Sequence, residues 1–299
     1  MKMNRAPVRY GLPYQGSKNK IADWLIGCLP SARVFYDIFA GGCSVSHKAL
    51  LSGKYEKIFI SDINDSVKLF SACLRGELPD GSEWISRNRF YQNKDIDPYI
   101  RLIWSFGNNQ KHYLYSPELE GYKHLLHRML FSEDREERRE LFKNILREQS
   151  RLGIERGGDL QSYERHLSLE KVSQSLRGIS PGSWDVNIRD YRQLTFESDG
   201  IIYCDIPYKG RRKYIDREFD YDEFYDWACR QTLPVFISEY SMPENRFICI
   251  GSQRRKSSFS ASNNRLQETE KLYIPRGHIE MVRELEIRQY DRVFLQTRF

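Results

Sequence analysis

The chain has 299 residues, 40% apolar and 13% aromatic, enough for one large or two smaller packed domains. Its 47 basic and 41 acidic residues leave a net charge of +6, which permits a polyanionic partner without demanding one. There is no apolar run of membrane-span length, no apolar stretch behind Met1-Lys2-Met3-Asn4-Arg5 and no CxxC pair among six scattered cysteines; a reduced, cytoplasmic protein without disulfides or structural zinc is expected.

The first segment reads helix, strand, helix, strand. Ile21, Trp24, Leu25, Cys28 and Leu29 recur at helical spacing, and Pro30 closes that helix. Residues 34–39 form a strand feeding Ala40-Gly41-Gly42-Cys43-Ser44. A helix follows to about Leu51, then a second strand at 57–61 that ends at Asp62. Strand, crossover helix and strand imply a parallel pair. From about Gly76 to Asp185 the chain turns helical and charged, with Pro117 at a first helical position after Ser116. Leu119, Tyr122, Leu126, Met129 and Leu130 form an apolar stripe, and residues 135–149 carry the mixed charges of a solvated helix face. His124 and His127 share a helix face; lacking a third ligand nearby, they read as a surface pair. Strand and helix then alternate again: a strand at 201–204, a helix opened by Asp220 with Glu223 and carrying Phe224, Trp227 and Ala228, and a strand at 235–237. Further strands are expected at 246–250, 272–274 and 293–295. The organisation is an α/β core built from residues 1–75 and 186–299, interrupted by a mainly helical insertion at 76–185.

Asp205-Ile206-Pro207-Tyr208 closes the strand at 201–204, placing a carboxylate, a main-chain carbonyl and an aromatic ring at its carboxyl end. Open α/β sheets bind ligands at that edge, and two acceptors beside a π-face suit a planar ring bearing an amine. An ordinary proline turn is the bland alternative. In the segment Asp37-Ile38-Phe39-Ala40-Gly41-Gly42-Cys43-Ser44, small residues between strand and helix let a ligand approach the backbone. It lacks GxGxxG spacing, and no GxxxxGK[ST] occurs, so neither a dinucleotide nor a nucleoside triphosphate is favoured. Asp62, at the tip of the second strand, suits the hydroxyls of a ribose.

Tyr14-Gln15-Gly16-Ser17-Lys18 precedes the first helix, and Lys209-Gly210-Arg211-Arg212-Lys213 follows the tetrapeptide. Basic residues such as Arg211 and Arg212 beside an aromatic-lined pocket suit nucleic acid, unless they form a solvated loop. Within the insertion, Asn108, Asn109 and Gln110 offer amides that can read adenine in the major groove, and Lys111 can hold a phosphate; a polar loop joining two helices is the alternative. Ser238-Glu239-Tyr240, at another strand tip, lines the base pocket or caps the core, with Glu239 the more interesting member.

Taken in this order, the segments resemble the Dam-like, alpha-class DNA adenine-N6 methyltransferases, whose recognition domain interrupts the catalytic core. Tyr14 and Lys18 match the aromatic and lysine of that family's first motif; Asp37, Phe39, Gly41 and Ser44 match its acidic-F-x-G-x-G-S loop. Asp62-Ile63-Asn64 matches the acid-Ile-Asn turn, and Asp205-Ile206-Pro207-Tyr208 matches D-P-P-Y with Ile206 in place of the first proline. Cys43 replaces the last glycine of the loop. The resemblance implies a Rossmann-like core using S-adenosylmethionine, with Asp62 on its ribose and Tyr14, Lys18 and Asp205 around its methionine end. It also implies a double-stranded DNA substrate and no metal; a monomer or weak dimer is expected.

Adenine's amino lone pair is delocalised into the ring, so its nitrogen is a poor nucleophile. Asp205 and the Ile206 carbonyl would accept its N–H groups, with Tyr208 stacked on a base flipped out of the duplex. The Ile206 exchange keeps the carbonyl and loses only backbone stiffness. The chain has no Pro-Cys dipeptide, which disfavours cytosine-C5 chemistry. Cytosine-N4 transfer, an RNA adenine target, a non-catalytic DNA-binding homologue and an α/β protein acting on another nucleoside stay open as alternatives.

Overall fold

In the computed structural model, residues 9–155, 159–209, 219–256 and 267–296 are described. The chain divides into two compact units. One comprises Met1–Gly11, Ser17–Val67 and Gly178–Phe299; the other comprises Leu12–Gly16 and Lys68–Arg177.

The first stretch supplies α1 (Ala22–Cys28), β1 (Ala32–Asp37), α2 (Ser44–Ser52), β2 (Tyr55–Asp62) and α3 (Ser66–Arg75). Helix α1 buries Ala22, Leu25 and Ile26. It stops at Leu29, whose backbone is extended, because the residue before a proline is driven out of the helical region. Five helices follow: α4 (Arg87–Asn93), α5 (Pro98–Ile103), α6 (Pro117–Phe131), α7 (Arg135–Leu152) and α8 (Gln161–Ser175). The remainder gives β3 (Trp184–Ile188), β4 (Gly200–Cys204), α9 (Tyr221–Arg230), β5 (Val235–Glu239), β6 (Phe247–Lys256), β7 (Gln267–Pro275) and α10 (Ile279–Gln296). Helix α9 starts where expected: the Asp220 carboxylate accepts from the Glu223 amide.

In the first unit the strands form one seven-stranded sheet in the order β3-β2-β1-β4-β5-β7-β6. β1 pairs in parallel with both β2 and β4, β2 with β3, and β4 with β5. β7 points opposite to the other six strands, pairing antiparallel with β5 and β6. β4 and β5 are buried along their whole length, as central strands covered on both faces must be. Val34, Tyr36, Ile202, Cys204, Val235 and Ile237 pack with Phe224, Tyr225 and Phe247 in one core. Because the central strands are parallel, Asp37, Asp62, Asp205 and Glu239 all emerge at the same edge.

Two elements differ from the sequence reading. Residues 293–295, expected as a strand, lie in α10. Val293-Phe294-Leu295 is too short an apolar run to separate strand from helix by periodicity, and the helix begun at Ile279 continues through it. β3 was not foreseen, although Trp184-Asp185-Val186-Asn187-Ile188 alternates apolar and polar as a half-buried edge strand does.

The second unit is organised around aromatic rings. Trp84 stacks on Tyr115 at 5.8 Å and on His124 at 4.9 Å, and meets Trp104 edge-on at 4.9 Å. His127, read as half of a surface pair, is instead buried; its Nε2 lies 2.8 Å from the Ser82 carbonyl, and its ring packs on Phe131. A helix face shared by two imidazoles also suits packing on indole, and here it does. α7 buries Leu141 and Ile145, whereas its charges form pairs along the exposed surface, such as Arg139–Glu136 at 2.7 Å and Arg151–Glu148 at 2.7 Å. Far apart in sequence, Ser173 and Cys73 meet through a 2.8 Å bond from the Ser173 hydroxyl to the Cys73 carbonyl.

Candidate functional site

The loop after β1 is shaped by its own backbone. Gly41 and Cys43 both take positive φ (49° and 57°), and α2 begins immediately afterwards. Gly11 packs against this loop so closely that a Cβ there would lie 2.4 Å from the Gly42 carbonyl and 2.6 Å from the Ser44 nitrogen. Its φ of +71° also favours glycine. The Gly11 amide donates to His47 Nδ1 at 2.9 Å, and burial lowers the pKa of that imidazole to about 4. His47 is therefore neutral and can accept.

Two carboxylates flank the loop. Asp37 is buried at the end of β1, and its Oδ2 accepts from the Ser46 amide (3.1 Å) and hydroxyl (2.5 Å). Its Oδ1 is buried with no hydrogen-bond partner. Burial, followed by the nearby charges of Asp205 and Asp62, pushes its pKa up to about 7 against the pull of the Ser46 hydroxyl. Asp62 accepts from the Gly41 amide at 2.7 Å and from the Asn64 amide at 2.7 Å; burial raises it to about 6. Ser44 is buried and accepts the Lys18 amide at 3.1 Å. Phe39 packs on Tyr191, Phe219 and Phe224 at centroid distances of 5.3 to 5.9 Å.

At the end of β4, the buried Lys18 ammonium lies 2.5 Å from Asp205 Oδ1 and 3.7 Å from Glu270 Oε1. It also sits 4.5 Å from the centroid of the Tyr208 ring. The Tyr208 hydroxyl donates to Glu270, and its ring meets Tyr240 edge-on at 4.5 Å. Burial, reinforced by Asp205 and Glu270, drives the Tyr208 phenol far above its ordinary pKa, so it stays protonated. Ile206 is 2% exposed and belongs to the apolar core, which gives a branched aliphatic side chain a place at that position. The Pro207 carbonyl accepts from the Tyr221 hydroxyl at 3.0 Å. Glu239 accepts from its neighbour's amide at Tyr240 (2.7 Å) and from the Lys209 amide (3.4 Å), and burial raises it to about 7.

Lys18, Asp37, Phe39, Gly41, Ser44, Asp62 and Asp205 to Tyr208 thus all lie in the first unit, at or beside the carboxyl edge of its sheet. Tyr14 belongs to the second unit, as do Asn108, Asn109, Gln110 and Lys111. In that segment Asn108 and Gln110 have positive φ. Asn109 Oδ1 accepts from the Lys111 and His112 amides, and Gln110 Oε1 accepts from Arg101. Arg211 and Arg212 lie outside the described residues. Sequence reasoning missed Glu270. The available signal was alternation: Glu270 shares a face of β7 with Leu272 and Ile274, so a carboxylate stands where the pattern asks for an apolar side chain.

Chemically, the edge offers carboxylates at Asp37, Asp62 and Asp205, the last of them bound to the Lys18 ammonium. The orphaned Asp37 oxygen suits a cationic or N–H-bearing ligand group, and the Asp62 carboxylate, fixed by backbone amides, suits neighbouring hydroxyls. Among the described residues, no cluster of three or more His, Cys, Asp or Glu could hold a metal, and no helix is long and apolar enough to cross a membrane.

The family model of the D12 class N6 adenine-specific DNA methyltransferases matches residues 14–281. No curated protein matches the chain. Among solved structures, it is similar to a Pyrococcus horikoshii protein described as a "putative RNA methyltransferase", with 12% identity over 87% of this chain and 84% of that one and a TM-score of 0.36.

Proposed function

The chain belongs to the D12 class of N6 adenine-specific DNA methyltransferases, and from that membership we propose that it is a Dam-like enzyme that methylates a flipped-out adenine in double-stranded DNA from S-adenosylmethionine. The observation that carries this reading is Asp205, held by Lys18 beside the Tyr208 ring at the end of β4.

Bound S-adenosylmethionine would supply an electrophilic methyl group on its sulfonium. The residues present fit it: the orphaned Asp37 Oδ1 is an acceptor for the ammonium of the methionine end, and Asp62 is placed for ribose hydroxyls. Phe39, Gly41 and Ser44 form the rest of the loop against which the nucleoside would lie, with Lys18 contributing at the methionine end, where the family resemblance also puts Tyr14.

Asp205 accepts one N6–H of the target adenine, and the Ile206 carbonyl accepts the other. Both contacts draw the nitrogen lone pair out of conjugation and aim it at the methyl carbon. When bound, the cofactor would supply its methyl group to that nitrogen and depart as the neutral thioether, and Asp205, already the acceptor of one N6–H, would receive the proton that the amine releases. Tyr208 supplies the stacking face, and Pro207 fixes the backbone between the two acceptors and that ring. Orientation and fixed electrostatics are the main contributions, since the protein forms no covalent bond to the base. Extruding the base costs a few kcal/mol, roughly, in unstacking.

Residues 76–185 are the proposed recognition segment, with Asn108, Asn109 and Gln110 as candidate base readers and Lys111 as a phosphate contact. Arg211 and Arg212, following the tetrapeptide in sequence, are the second set of proposed phosphate contacts.

The test is to incubate the protein with tritiated S-adenosylmethionine and mixed genomic DNA, then digest to nucleosides. Label in N6-methyldeoxyadenosine is the expected result. Label in deoxycytidine would move the target to cytosine N4, and absence of label with the cofactor bound would leave a non-catalytic DNA-binding homologue.

A further inference from the structure

We propose that Glu270 is a positioning residue that retains Lys18 and fixes Tyr208 when Asp205 turns to the substrate amine. The inference rests on the reading that Asp205 receives N6–H.

Glu270 is 0% exposed, inside the sheet on the strand that points opposite to the other six. A carboxylate in that setting is costly unless it is paired and hydrogen-bonded. Two of its contacts reach the reaction machinery. Its Oε1 accepts the Tyr208 hydroxyl and lies 3.7 Å from the Lys18 ammonium.

That ammonium is shared unequally. It bonds Asp205 Oδ1 at 2.5 Å and stands just beyond hydrogen-bond distance from Glu270. The oxygen that Lys18 holds belongs to the carboxylate that the reaction directs at the amine. If Asp205 were the sole counter-charge, releasing it would strand a buried cation, and the pair would resist separation. With Glu270 in reach, a movement of about one ångström transfers the ammonium from one carboxylate to the other without leaving it unpaired. The same carboxylate anchors the far end of the Tyr208 ring, so the plane offered to the base and the seat of the ammonium have one common support. Lys18 lying 4.5 Å from the ring centroid links the two.

The experiment is single-turnover methylation of an adenine-containing duplex with tritiated S-adenosylmethionine, for wild type, Glu270→Gln, Tyr208→Phe and the double variant. Dissociation constants for cofactor and for DNA are measured alongside. Glu270→Gln keeps an oxygen for the Tyr208 hydroxyl and removes the charge that receives Lys18. It is expected to slow the single-turnover rate by about 10- to 100-fold, as small misplacements of reacting groups do, with both dissociation constants unchanged. Tyr208→Phe is expected to slow transfer in the same way, and the double variant to lose less than the product of the two.

A wild-type single-turnover rate in Glu270→Gln overturns the proposal. So does a parallel fall in rate, both affinities and melting temperature, which would make Glu270 a purely structural residue. Should Glu270→Gln fail to fold, a wild-type rate in Tyr208→Phe overturns it on its own. Wild-type transfer to adenine tests the underlying reading separately: with it present, a failure in the variants counts against Glu270 alone, and without it both fall.

Discussion

In the first unit, Asp37, Glu239 and Glu270 are buried at or near one edge of a mixed, mostly parallel sheet, and Asp37 keeps one oxygen with no partner. In the second unit, α7 carries its carboxylates in the open, each of Glu136, Glu140 and Glu148 against a cation three residues on. The contrast separates two uses of the same side chain. Exposed pairs solvate a helix and contribute little to stability after screening. Buried carboxylates raised to about 7, as Asp37 and Glu239 are, cost folding energy and persist where a ligand recovers it.

The largest effect that would break this contrast is at Asp205. Asp205→Ala should cut methyl transfer by about 10²–10³-fold, the scale of losing one preorganised electrostatic group, while sparing DNA binding; near wild-type turnover would remove it from the site. Gly11→Ala comes next. A methyl group would meet the loop backbone at 2.4 Å in a left-handed conformation, and the strain and overpacking should cost about 2–4 kcal/mol in denaturant unfolding. An unchanged midpoint would mean that the loop can give way.

Asp62→Asn keeps the shape and loses the charge, so the cofactor dissociation constant should rise roughly 10-fold. An unchanged constant would remove Asp62 from the ribose. The pH dependence has a definite sign. Asp37 and Asp62 titrate at about 7 and about 6 in the folded chain, above an ordinary 3.8, so the stability linked to their protonation is complete below 3.8 and is lost as pH rises through 6 to 7. A cationic ligand prefers the ionised forms, so cofactor affinity should climb over that same interval; a flat profile would argue against carboxylate contacts. His47 acts in the opposite direction on stability, which it supports above 6.5 and ceases to support as pH falls through about 4. The smallest effect belongs to α7: Glu140→Gln should leave the unfolding midpoint within the scatter of the wild type.

Much of the core was legible because parallel strands buried on both faces read as short apolar runs, and their last residues are polar. Asp37, Asp62 and Asp205 stand at such ends, which is why chain position alone brought them to one edge. Glu270 was hidden because its partners come from Lys18 and Tyr208, far away in sequence, and a lone carboxylate before an apolar strand looks like a surface residue. His127 was misread because helical spacing reports a shared face and not what covers it; only the Trp84 and Trp104 rings show that the face is buried. The positive φ angles at Asn108 and Gln110 were likewise invisible, since neither residue carries glycine's warning.

The bond between Ser173 and Cys73 bears on how the chain assembles. β1 lies between β2 and β4, and β4 is not synthesised until the whole helical stretch has been made. Joining β1 to β4 through an unfolded segment would mean closing a very long loop, the kind of non-local contact that slows folding. Once the helical stretch has folded, Ser173 and Cys73 are joined, and the loop between β1 and β4 shortens to residues 38–73 and 173–199. Folding of the insertion then acts as a clasp for the sheet, so a substitution that unravels α8 should delay β1–β4 pairing without touching either strand.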